Sequence, residues 1–176
     1  MILGLDISTS ITGITVLDDT GAVILFDMVD MRPKKFTSFF LKADAIERRL
    51  GQIKNTYNID KIFIEESLQA FRPGLSSASV ILTLGRFNGI VSWISYKIFG
   101  LEPHYIGAST ARKALGIKVQ RGENAKEIVL KRVMELEKGF QVEYTPKGNP
   151  VAGSYDRADS YVIAKAGYLS CQTAKK

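Results

Sequence analysis

The chain has a single cysteine, Cys171, and a single histidine, His104, in 176 residues. One thiol cannot close an internal disulfide, and zinc sites built on Cys or on paired His need more ligands than the chain offers. Any metal would have to be held by oxygen. Long apolar runs are missing too. The most apolar stretch, 75–96, is interrupted by Arg86 and followed by Lys97, and its uncharged parts fall short of the roughly 18–20 residues of a membrane-crossing helix. The opening MILGLDISTS carries Asp6 and no basic segment, which does not read as a secretory signal. We therefore expect a cytoplasmic protein in a reducing compartment, with no membrane association. Acidic residues are outnumbered, 18 Asp and Glu against 24 Lys and Arg, for a net charge of +6. That balance points to an anionic partner, nucleic acid first. The apolar fraction of 45% and the length fit one globular domain over 1–176. There is no internal repeat, no low-complexity block and no linker that would divide the chain.

Residue periodicity gives an alternation of elements. Segments 2–8, 11–18 and 21–29 are β-branched-rich runs, and Asp-Asp-Thr-Gly at 18–21 is a turn between the second and third. They predict an antiparallel meander. Over 36–57, Phe39, Phe40, Ala43, Ile46, Leu50 and Ile53 recur at helical spacing. Residues 61–67 read as a buried strand, 76–99 as an unusually apolar helix and 103–108 as a short fifth strand. A helical turn at 109–115 is followed by a helix at 124–138 that buries Val129, Val133 and Leu136. The Pro- and Gly-bearing 139–153 is a loop, and a last helix runs over 154–171. The expected fold is α/β: a five-stranded mixed sheet, three antiparallel strands then two parallel, with helices on both faces.

Several acidic residues stand in apolar surroundings. Asp6 is flanked by Leu5 and Ile7, Glu65 and Glu66 end the run KIFI, and Asp156 and Asp159 open a helix with core-like later positions. Burying a carboxylate costs several kcal/mol unless it is paired or metal-bound. The i, i+3 spacing puts Asp156 and Asp159 on one helix face. Carboxylates converging from two strands and a helix, without His or Cys, are a ligand set for hard cations such as Mg²⁺ or Mn²⁺. Two such ions can activate water and stabilise the leaving oxygen of a phosphodiester.

These segments resemble a known family. ILGLDISTSITGITVLDD at the start, KIFIEESL, TLGRFNGIV and YDRADSYVIAKAGY are similar, in the same order, to motifs of the RuvC-type Holliday junction resolvases, including viral-type members, which have the RNase H-like nuclease fold. The resemblance covers nearly the whole chain. It implies that Asp6, Glu65, Asp156 and Asp159 are catalytic, metal-binding carboxylates for two Mg²⁺ ions, with Mn²⁺ able to substitute. It selects Glu65 over Glu66, and strand alternation agrees that only one can face the site. It implies that Lys126 is catalytic and that Lys113, Lys118, Arg121 and Lys126 contact DNA phosphates. The family often wedges an aromatic into the junction from a position near the strand-ending Glu. Leu68 stands there in this chain, and Phe71, followed by Arg72, is the substitute we assign to DNA contact. Ser8 replaces a Gly that many members have after the first Asp.

The implied activity is paired nicking of four-way and other branched DNA by a homodimer in recombination, repair and replication. The interface would run through the helix 76–99, where Gly85 and Gly89 form a small-xxx-small pair. Two alternatives compete with this reading. One is an RNA-processing nuclease of the same fold. The other is a phosphotransferase resembling actin or sugar kinases, whose phosphate loop also combines an Asp with a later Thr-Gly, here Thr12-Gly13. Such kinases need two lobes, and 176 residues supply one.

Overall fold

The computed structural model describes residues 1–32, 34–66 and 78–173. Phe71 and Arg72, the expected junction contacts, and Leu68 lie outside the described residues. Strand β1 (Ile2–Asp6) pairs antiparallel with β2 (Ile11–Leu17), which pairs antiparallel with β3 (Val23–Asp30). Strands β4 (Lys61–Glu65) and β5 (His104–Ile106) follow on the other side of β1, each parallel to its neighbour, for a sheet order of β3-β2-β1-β4-β5. Asp18 makes the β2–β3 turn: one carboxylate oxygen accepts from the backbone N–H groups of Thr20 and Ala22 and from the Thr20 hydroxyl. The predicted five strands and their directions are all present.

Among the described residues five helices cover the sheet: α1 (Phe39–Thr56), α2 (Ala78–Phe99), α3 (Ala108–Ala114), α4 (Ala125–Leu136) and α5 (Ser154–Thr173). Ser38 caps α1, its hydroxyl accepting from the Leu41 amide. The alternation of β1 sorts its side chains into two cores. Leu3 and Leu5 pack with Ile46, Leu50 and Ile53 of α1 and Phe87, Val91 and Ile94 of α2. Ile2 packs on the opposite face with Phe63, Leu17 and the apolar side of α5.

Some sequence expectations of burial are corrected. Phe40, Leu136 and Leu169 are exposed, because each lies on the solvent side of its helix while Ala43, Val133 and Ala166 face inward. On α2, Phe87 and Val91 are buried, whereas Trp93 and Tyr96 stack against each other on the outside. Gly85 and Gly89 belong to that outer side: among the described residues a β-carbon at either would meet nothing within 4 Å.

Candidate active site

The central parallel strands end together. Leu5 of β1 pairs with Ile64 of β4, so Asp6 and Glu65 occupy the next position on adjacent strands. Both follow the alternation of Ile2 and Phe63, so both point to the α5 face. Glu66 is turned away from that alternation and ties its backbone N–H to the Ile106 carbonyl at 3.0 Å. Open α/β sheets bind ligands at the carboxyl ends of their strands, and that end is where these acids stand.

Helix α5 is laid across three strands by small residues. Gly13 of β2, the register partner of Asp6, lets the Asp156 carbonyl rest directly on the sheet; a β-carbon there would overlap that oxygen. A β-carbon at Gly4 of β1 would sit 2.5 Å from that of Ala164. Gly167 meets the ring of Phe63 on β4 with the same lack of space. Between these points the hydroxyls of Thr15 and Ser160, both fully buried, hydrogen-bond at 2.9 Å. The approach fixes the height of the first turn of α5, and with it Asp156 and Asp159, above the strand ends.

The four carboxylates feel one another's charge. Burial pushes Asp6 well above the usual carboxylate range, and Glu65, Asp159 and Asp156 push it further. Glu65 is raised to about 7 by burial and by Asp159, and Asp159 to about 6 by burial and, less, by Asp156. Asp156 is raised by burial and by Asp30. Lys126 opposes the rise at all four. It sits in the first turn of α4, where Asn124 caps the helix by accepting from the Lys126 amide at 3.1 Å. A cation at a helix N-terminus works against the macrodipole, so the carboxylates are the electrostatic reason for it to stand there.

Sequence reasoning missed two cations. Arg112 of α3 lowers Glu65 and Asp159, and Arg32 lowers Asp156. Arg32 is itself held by a two-point bond to Asp30, at 2.9 and 2.7 Å. The signal for Arg112 lay in the short helix: Ala111 is buried, so its neighbour is drawn half inward while Lys113 turns to solvent. Lys113 and Lys118 instead join Ser109 and Arg112 around a cavity of about 270 Å³, and Arg121 is exposed in the following turn.

The donor set suits a hard divalent cation, since every candidate ligand is a carboxylate oxygen. The acids are near enough to perturb one another, yet among the described residues no group of three or more His, Cys, Asp or Glu is placed to close around an ion. Cation binding would have to draw these side chains inward. Burial, with repulsion adding to it at Asp6, Glu65 and Asp159, raises these pKa values, and that repulsion favours such a change once positive charge arrives.

No protein-family model matches the chain, and no curated protein matches it in sequence. Solved structures do match in three dimensions. Thermus thermophilus RuvC in complex with a Holliday junction substrate superposes with a TM-score of 0.69 at 16% identity, covering 98% of this chain and 94% of the other. A second Thermus thermophilus RuvC structure gives 0.65 at 17% identity, covering 98% and 96%. The yeast mitochondrial Holliday junction resolvase gives 0.56 at 16%, covering 99% and 80%. Among the described residues no helix is long and apolar enough to cross a membrane. Strand order, strand directions and these superpositions agree that the chain has the RNase H-like fold of RuvC.

Proposed function

We propose that the protein is a divalent-metal-dependent endonuclease that resolves four-way and related branched DNA in recombination, repair and replication, working in the cytoplasm. The observation that carries the reading is the set of four mutually repelling carboxylates at the strand ends, with Lys126 electrostatically coupled to each. Asp6, Glu65, Asp156 and Asp159 would hold two Mg²⁺ ions, or Mn²⁺ in their place, which when bound supply an activated water and stabilise the leaving oxygen. Asp6, buried and pushed up by all three of the other acids, is the central ligand of this reading. Lys126 and Arg112 offset the negative charge that builds on the phosphate being cut. Lys113, Lys118 and Arg121 extend the positive surface away from the carboxylates and position the DNA backbone without reading bases.

The dimer of this reading uses the outer side of α2. Leu82, Trp93 and Tyr96 are exposed there beside the open Gly85 and Gly89. A two-fold dimer would bring one site to each of two opposed strands of a junction.

The test is cleavage of four-way, three-way and linear duplexes by the unaltered chain and by Asp6→Asn, with and without Mg²⁺. We expect nicking of the branched substrates only, dependent on the metal, with Asp6→Asn still binding the junction but cutting roughly 10²- to 10³-fold more slowly, the scale on which loss of one preorganised charge-stabilising group is felt. Nicking by Asp6→Asn at the unaltered rate would remove Asp6 from the site. Cutting of structured RNA but no branched DNA would favour the RNA-processing nuclease.

A further inference from the structure

Within the segment 139–153, a loop as expected, residues 144–150 close a tight hairpin turn. Tyr144 and Pro150 form an antiparallel bridge, the Thr145 N–H donates to the Asn149 carbonyl at 2.8 Å, and the Val151 N–H to the Glu143 carbonyl at 2.9 Å. Arg157 of α5 fastens its base: the guanidinium lies over the Phe140 ring at 5.3 Å and donates to the Gln141 carbonyl at 3.1 Å. Between this hairpin and α4 is a cavity of about 370 Å³, walled by Tyr144, Tyr155, Leu130 and Met134, with Glu127 and Lys131 among its polar groups.

We infer that this cavity receives one unstacked nucleobase of the bound DNA strand. The inference rests on the nuclease reading given above. A flat ligand with a polar edge suits two tyrosines and two aliphatic walls ringed by charged groups. Tyr144 is 53% exposed and its hydroxyl meets the Met134 sulfur at 3.9 Å, so its ring is presented at the cavity rather than consumed in the core. Glu127 is held by the Asn124 side chain at 2.9 Å, which keeps the rim in place. The cavity also adjoins the candidate site along both elements. Tyr155 immediately precedes Asp156, and Glu127 immediately follows Lys126. A strand whose phosphate lies beside Lys126 would come within reach of the cavity, where Lys131 supplies positive charge for the backbone. Base–aromatic stacking is the usual way to hold an unpaired base without reading its sequence. A junction offers such bases where its strands exchange.

The experiment measures junction binding by the full chain carrying Asp6→Asn, so that cutting does not intervene. A single abasic nucleotide is walked along the strand around the cut. One position is expected to weaken binding by roughly 5- to 150-fold, the range for loss of one base–aromatic stack. Adding Tyr144→Ala should weaken binding to the intact junction to a similar degree and erase the penalty at that position. Tyr144→Phe, which keeps the ring, should retain the penalty and shows that the hairpin tolerates substitution. Abasic and Tyr144→Ala effects that simply add at every position would overturn the inference while leaving the nuclease reading intact. Failure of the chain to bind any junction would overturn both.

Discussion

The two faces of the sheet are built by opposite means. On the α1/α2 face, large side chains interlock: Leu3, Leu5, Ile46, Leu50 and Phe87 are all fully buried. On the α5 face, the closest contacts are made where side chains are missing, at Gly4, Gly13 and Gly167. A core of large side chains can absorb a small change by local repacking. Backbone resting on backbone has nothing soft to move. The face that must hold Asp156 and Asp159 above Asp6 and Glu65 has an apolar core of its own, but it is at Gly13, where backbone meets backbone, that no side chain can adjust the height.

The largest effect should come from breaking the rigid face. Gly13→Ala puts a methyl group into the Asp156 carbonyl and lifts the first turn of α5. We expect a loss of about 3 kcal/mol or more in denaturant unfolding, and a fall in junction cleavage of roughly 10²-fold even well below the melting temperature, since small misplacements cost that much. Wild-type cleavage by folded Gly13→Ala would show that α5 is not set by this contact.

Next comes the opposite face. Leu50→Ala should cost about 2–5 kcal/mol of stability, yet the folded fraction should cut at close to the unaltered rate. A rate loss as large as that of Gly13→Ala would erase the distinction between the faces.

The smallest effect separates the faces by charge. Asp6, Glu65 and Asp159 have raised pKa values in the folded chain, with Glu65 at about 7 and Asp159 at about 6. Unfolded carboxyls titrate near 4, so between these values the folded state binds more protons and stability falls as pH rises. Without divalent cations, the melting temperature should therefore drop from pH 4.5 to 7.5. The drop should shrink in Asp6→Asn, because one of the repelling charges is gone. A melting temperature that climbs over this window would contradict the crowding of these acids.

How much of this was legible in the sequence follows from the same contrast. Strands and helices announced themselves through side-chain period, and Asp18 through turn chemistry, so the sheet order could be anticipated. Asp6 was conspicuous because a carboxylate inside LGLDIS has no bland neighbour to satisfy it. The role of Gly13 was hidden: nothing local in SITGITV says that a helix more than a hundred residues later will rest on it, since the constraint is the absence of an atom. Arg112 was passed over for Lys113, because a seven-residue helix is too short for its period to decide which side chain turns inward. The hairpin at 144–150 was concealed for another reason. Its Pro and Gly residues read equally well as irregular loop, and a single bridge decides between the two.

The bond between Thr15 and Ser160 joins residues 145 positions apart. A contact of such separation closes a long loop, and that entropic cost slows its formation. Two of the four acids ride on the helix that this bond helps to dock. A newly made chain with its sheet in place but α5 still free would therefore own only half a cutting centre. For a protein that breaks DNA under our reading, the topology is a safeguard in time: partly folded copies are blunt, and the edge is formed only when folding closes.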